Sequence, residues 1–120
     1  MLKTVLVVED DRTMRELLRV HLTSAGHAVT SAANADEALI AARGLTPDLI
    51  ICDVHMPRMN GFELVGALRK IPSLQDTPVI FLTVDGDAQE QGVRLGAAAY
   101  LTKPIRLETL LNAVAQHMPA

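Results

Sequence analysis

Two periods of hydrophobic patterning alternate along this chain. Thr4–Val8 (TVLVV), Leu49–Cys52 (LIIC) and Val79–Thr83 (VIFLT) are unbroken apolar or β-branched runs. Runs of this length, closed by polar or turn-forming residues, predict strands buried on both faces, as in parallel sheets covered by helices. His27–Ala32 is less apolar and predicts a strand near a sheet edge, and Ala99–Thr102 predicts a short last strand. Between the runs, apolar residues recur at spacings of three and four and predict helices. The inward faces are expected to carry Met14, Leu17, Leu18, Leu22 and Ala25; then Ala38, Leu39 and Ala42; then Phe62, Leu64, Val65 and Leu68. A fourth helix contains Gly92 and ends at Gly96, and the last carries Ile105, Leu107, Leu110, Leu111 and Val114.

The punctuation agrees with this division. Asp11 is placed to cap the first helix and Gly26 to end it in the left-handed region. Asn34 with Glu37 three residues on resembles a capping box, and Gly44 is expected to stop the second helix. Thr46-Pro47 turns into the central strand, Pro72 and Pro78 bracket a loop, and Val84–Asp87 forms a polar turn. Five strands alternating with five helices predict an α/β fold, a mostly parallel sheet with helices on both faces.

Composition narrows the options. With 120 residues the chain is expected to be one domain, 1–120, that buries enough surface to need no disulfide or structural metal. The single cysteine, Cys52, lies inside an apolar run and fits a reducing, cytoplasmic setting. Only a short apolar segment separates Lys3 from Glu9, so no signal peptide is expected, and no run reaches the ~20 residues of a membrane span. A net charge of −3 and scarce aromatics give no reason to expect direct nucleic-acid binding.

The chemistry sits where the strands end. In a parallel sheet all strand C-termini share one edge, and ligands bind in the crevice outside it. The first strand delivers Glu9 and Asp10 there, the third Asp53, the fourth Thr83 and the fifth Lys103. Neighbouring strands are ~4.8 Å apart, so these carboxylates crowd and repel. A hard divalent cation such as Mg²⁺ relieves that repulsion through oxygen ligands. Metal, ammonium and hydroxyl around a carboxylate can stabilise a transferring phosphoryl group, with the carboxylate as nucleophile. Taken singly, Thr83 reads as a strand-end hydroxyl and Lys103 as a solvated lysine; the specific signal is their joint placement.

Val7-Val8-Glu9-Asp10, Asp53 with Met56-Pro57 and Asn60-Gly61, Phe81-Leu82-Thr83, and Tyr100-Leu101-Thr102-Lys103-Pro104 together resemble the receiver domain of two-component response regulators, over essentially the whole chain. The resemblance implies a flavodoxin-like doubly wound sheet of order 2-1-3-4-5. It implies that Asp53 accepts a phosphoryl group from a histidine of a partner kinase or phosphotransfer protein. Glu9, Asp10, Asp53 and the backbone carbonyl of His55 would hold Mg²⁺, Lys103 would contact the phosphoryl group, and the Lys103-Pro104 peptide would be cis. Thr83 and Tyr100 would form the switch, with a downstream protein bound on the face of the fourth helix, last strand and last helix. Interior Gly92 is expected to make that helix yielding. His55 and Asp85 would flank the water that removes the phosphoryl group.

Three departures from the family pattern stand out. Val84 follows Thr83 where the family usually has a small residue, so a β-branched side chain is expected beside the site. Ala98 and Ala99 precede Tyr100, and Ile105 stands where DNA-binding relatives often have phenylalanine, so a monomer or weak dimer is expected. Among rival readings, an FMN-binding flavodoxin is disfavoured because Glu9-Asp10-Asp11 would repel a phosphate. A phosphatase of the haloacid dehalogenase type is matched only at Asp53. The principal alternative is a receiver-fold interaction module that works without phosphorylation.

Overall fold

The computed structural model describes residues 2–84 and 89–120. Among them, β1 (Thr4–Val8), β2 (Ala28–Ala32), β3 (Leu49–Asp53), β4 (Val79–Thr83) and β5 (Ala99–Thr102) alternate with α1 (Arg12–Ser24), α2 (Ala35–Leu45), α3 (Gly61–Leu68), α4 (Gln89–Arg94) and α5 (Leu107–His117). The strands form one parallel sheet of order β2-β1-β3-β4-β5. Successive strand side chains point to opposite faces, and the two cores divide accordingly. Leu6, Val8, Ile50, Cys52, Val79 and Phe81 pack with α2 and α3. Val5, Val7, Leu49, Ile51, Ile80 and Leu82 pack with α1 and α5. All five residues of β3 and of β4 are buried, whereas edge strand β2 buries only Ala32 fully.

Most boundaries fall where the sequence places them. The exceptions have local causes. His27 belongs to the end of α1: its N–H donates to Leu22 O and that of Gly26 to Thr23 O, a Schellman closure around Gly26 at φ 98°. Asn34 does cap α2 by accepting from Glu37 N, but the Glu37 carboxylate accepts from Ala33 N, so the reciprocal box is incomplete. The complete box sits on α3, between Asn60 and Glu63. Helix α2 runs past Gly44 and leaves the right-handed region at Thr46, φ 49°. A residue preceding proline is disfavoured in the α conformation, and Pro47 therefore sets the stop. Leu17 is half exposed, Ala25 is an exposed cap and Leu107 opens α5 at 38% exposure, so these three lie outside the core. The expected turn from Val84 to Asp87 lies, apart from Val84, outside the described residues.

Gly92 has a role that helix propensity does not suggest. It is buried, and a Cβ added there would meet Tyr100 Cδ2 at 3.0 Å, Tyr100 Cε2 at 3.3 Å and Phe81 Cδ2 at 3.4 Å. The missing side chain makes room for the Tyr100 ring beneath α4. In an exposed helix Gly→Ala stabilises by ~1 kcal/mol; overpacking costs roughly 1–3 kcal/mol. We therefore expect Gly92→Ala to destabilise the protein by about 1 kcal/mol net. A rise in the urea midpoint on that substitution would contradict the close packing.

Candidate functional site

The register assembles the site as a staircase. Val8 pairs with Cys52, so Glu9 and Asp53 end neighbouring strands side by side. Asp53 pairs with Leu82, one residue before Thr83, and Thr83 pairs with Thr102, one residue before Lys103. The Lys103 N–H donates to Thr83 O at 2.6 Å, fixing the start of the loop after β5, and the Lys103-Pro104 peptide is cis.

Side chains then converge across the strand ends. Lys103 Nζ donates to Glu9 Oε1 at 2.8 Å and lies 3.3 Å from Asp53 Oδ2. The other Glu9 oxygen accepts from Asp11 N at 3.2 Å, and Asp53 Oδ1 accepts from His55 N at 3.2 Å. Glu9 is 0% and Asp53 3% exposed, while Asp10 faces solvent beside an open cavity of about 660 Å³ lined by Asn34, Asp36, Pro57, Arg58 and Met59. One carboxylate oxygen each from Glu9, Asp10 and Asp53 lies within 4.8 Å of the others, the one such acidic cluster among the described residues. Three hard oxygen donors with a solvent-facing side suit Mg²⁺, which keeps several waters. The sequence-predicted residues Glu9, Asp10, Asp53 and Lys103 are thus brought together. Thr83 is buried at the end of β4, and the His55 side chain is exposed. Val84 is 70% exposed and does not pack into the core; Asp85 lies outside the described residues.

Burial drives the electrostatics. It pushes the Glu9 carboxyl up to about 7; Lys103 pulls it down and Asp53 pushes it further up. Burial works against the Lys103 ammonium, yet the hydrogen bond and charge of Glu9, helped by Asp53, leave its pKa raised. Burial, then the charges of Asp53 and Glu9, hold the Cys52 thiol far above its usual range, so this cysteine is inert. A carboxyl whose folded pKa lies above its unfolded one binds more protons in the native state. The metal-free protein should therefore lose stability as pH rises from about 4.5 to about 7. Proton release from Glu9 should also tighten Mg²⁺ binding over the upper part of that range. Thermal unfolding across the range, with and without Mg²⁺, checks both; a metal-free stability that climbs toward pH 7 would contradict the first.

Two contacts are not legible in the sequence. Gly61 opens α3 hard against β3: an added Cβ would stand 3.0 Å from Val54 Cα, 3.1 Å from Asp53 C and closer still to Asp53 O. The Asn60-Gly61 pair reads in sequence as a turn, which hides the contact. Arg15, in the first turns of α1, folds back so that Nη1 donates to Glu9 O at 2.9 Å and lies 3.4 Å from Asp10 O. An arginine close to a helix N-terminus, where the helix dipole disfavours cations, is the sequence signal for it.

A family model described as the response regulator receiver domain matches residues 5–115. The chain is 41% identical over 115 residues to an uncharacterized 14.6 kDa protein of Leptolyngbya boryana, covering 94% of this chain and 88% of that one. It is 40% identical over 116 residues to the response regulator protein FleR of Pseudomonas aeruginosa, covering 94% of this chain but spanning only 24% of FleR. Among solved structures, the chemotaxis protein CheY4 of Vibrio cholerae superposes with a TM-score of 0.93 at 36% identity, over 98% of this chain and 100% of that one. The response regulator protein TrrA of Thermotoga maritima, solved in complex with Mg(2+)-BeF, gives 0.87 at 31% identity, over 98% and 100%.

Proposed function

Because the chain belongs to the response regulator receiver domain family, we propose that it is a switch set by phosphorylation of Asp53. The observation that carries this reading is the placement of Asp53: nearly buried, at the end of a central strand, within reach of Lys103 Nζ and beside the Glu9 and Asp10 carboxylates. A carboxylate oxygen of Asp53 attacks the phosphorus of a phosphohistidine on a partner kinase or phosphotransfer protein. The new P–O bond forms as the P–N bond breaks, and the electron pair returns to the imidazole nitrogen. Mg²⁺ held by Glu9, Asp10, Asp53 and the His55 carbonyl would supply positive charge to the phosphoryl oxygens. Lys103 turns from Glu9 to the phosphoryl group and neutralises a further negative charge.

Thr83 and Tyr100 report the event at a distance. Thr83 moves toward the phosphoryl oxygen, and Tyr100, lying between Phe62, Phe81 and Gly92, repacks beneath α4. The surface of α4, β5 and α5 then binds a downstream protein. In this reading residues 1–120 act as one cytoplasmic receiver unit, monomeric or weakly dimeric, without direct nucleic-acid contact. Among the described residues no helix is long and apolar enough to cross a membrane. Receiver domains are switches, not classical enzymes; turnover here is confined to self-phosphorylation from small donors and self-dephosphorylation. Incubation with acetyl phosphate and Mg²⁺, followed by intact mass, should show one added phosphoryl group that is absent when Mg²⁺ is chelated before the donor is added. An unlabelled protein under both conditions would favour an interaction module that works without phosphorylation.

A further inference from the structure

Helix α1 carries an arginine in an electrostatically awkward place. Arg15 is the fourth residue of a helix with no acidic residue in its first turn, and the N-terminal end of a helix disfavours a cation. Its bonds give it another purpose. The Arg15 N–H donates to Asp11 O at 2.9 Å, and its Nη1 reaches Glu9 O at 2.9 Å and Asp10 O at 3.4 Å. The backbone bond is the i→i−4 bond that any residue at this place in the helix makes; the guanidinium itself holds the two successive carbonyls of Glu9 and Asp10. The Glu9 N–H still donates to Ala32 O of β2 at 3.1 Å, but the carbonyls of Glu9 and Asp10 lie beyond the end of β1, and partly buried carbonyls need donors. The carboxylates of the same two residues lie within 4.8 Å of an Asp53 oxygen, so the backbone that Arg15 holds is the backbone that carries two of the three acidic groups.

We infer that Arg15 is a positioning residue of the acidic cluster: its side chain clamps the backbone of Glu9 and Asp10 so that the carboxylates meet a small, octahedral cation. The inference rests on the reading of Glu9, Asp10 and Asp53 as Mg²⁺ ligands. Mg²⁺ demands near-ideal geometry at short distances, whereas Ca²⁺ accepts longer and more variable ones. Loosening the clamp should therefore weaken Mg²⁺ more than Ca²⁺. A guanidinium acting only as a nearby positive charge would do the opposite: its removal would strengthen both cations alike.

The test is calorimetric titration of the whole protein with Mg²⁺ and with Ca²⁺, comparing wild type, Arg15→Ala and Arg15→Lys, with thermal unfolding alongside. Groups that orient metal ligands typically change affinity by about 10–100-fold when removed. Arg15→Ala should lose about tenfold in Mg²⁺ affinity and clearly less in Ca²⁺ affinity. Arg15→Lys should stay near wild type, because one ammonium nitrogen can replace Nη1. Equal losses for the two cations, tighter binding of both, or a fall in melting temperature with an unchanged Mg²⁺/Ca²⁺ ratio would each overturn the inference. Should Arg15→Ala not fold, a wild-type Mg²⁺/Ca²⁺ ratio in Arg15→Gln, which lacks the charge and the reach, overturns it instead. Failure of the wild type to bind Mg²⁺ at all would sink the ligand assignment itself.

Discussion

Gly61→Ala should destabilise the protein by about 3 kcal/mol or more; among the described glycines it has the closest contacts for an added methyl group. The added carbon would be forced against the carbonyl of Asp53 and the Cα of Val54. Those are backbone atoms at the end of central strand β3 and at the start of the loop it feeds, and neither can rotate away as a flexible side chain would. Relief requires α3 to lift off β3, which opens the core around Phe62, Leu64 and Val65, all buried. It also displaces the carbonyl of the residue expected to be phosphorylated, so labelling of any folded fraction should slow. Gly66 provides an internal control on the same helix. An added Cβ there meets only Leu95 Cδ2 at 4.0 Å, an ordinary contact. Gly66→Ala should therefore follow helix propensity and stabilise by up to ~1 kcal/mol. Urea unfolding of both variants gives the comparison, and a Gly61→Ala midpoint within error of wild type would contradict the close approach of α3.

Asp53→Asn should abolish Mg²⁺-dependent labelling without lowering the stability of the metal-free protein. An amide oxygen is too weak a nucleophile to form the acyl-phosphate bond. The same change removes one of two buried neighbouring carboxylates whose mutual repulsion contributes to the raised pKa of Glu9. Lys103 keeps its 2.8 Å bond to Glu9, so no buried charge is stranded. The expectation is a melting temperature at or above that of wild type, together with weaker Mg²⁺ binding. Peptide mapping of the labelled wild type should place the phosphoryl group in the segment containing Asp53. Undiminished labelling of Asp53→Asn at another residue would refute the assignment.

The sequence was most legible where one physical demand dominates. β1, β4 and β5 have the bounds that their runs predict, and β3 adds only Asp53 to its run; for β1, β3 and β4 the reason is that a strand buried on both faces tolerates few polar residues before its end. The convergence of Glu9, Asp10, Asp53 and Lys103 follows from parallel topology alone. Three-dimensional contacts were hidden. Leu17 and Leu18 are equivalent by spacing, but only Leu18 is buried while Leu17 is 50% exposed, because spacing does not show how wide a stripe of the helix the sheet covers. Gly61 and Gly92 look like a turn and a weak point, whereas each marks a place where backbone or ring comes too near for a Cβ. Sequence shows that a glycine is present and not what it makes room for. The Glu9–Lys103 bond, between residues 94 apart in the chain, required the folded arrangement to be seen.

The aromatic residues bear on how this protein can be watched. It has no tryptophan, and its one tyrosine and two phenylalanines form a single cluster. Phe62 and Phe81 meet edge to face at 5.0 Å, and Tyr100 lies 6.4 Å from each. The near-ultraviolet circular dichroism of the folded chain therefore arises from one spot, where α3, β4 and β5 meet under α4. Far-ultraviolet signal averages over every helix and strand, but the tyrosine band reads the surroundings of Tyr100 alone. A native, unlabelled sample thus carries its own optical probe at the position proposed to switch, with no competing chromophore elsewhere in the chain.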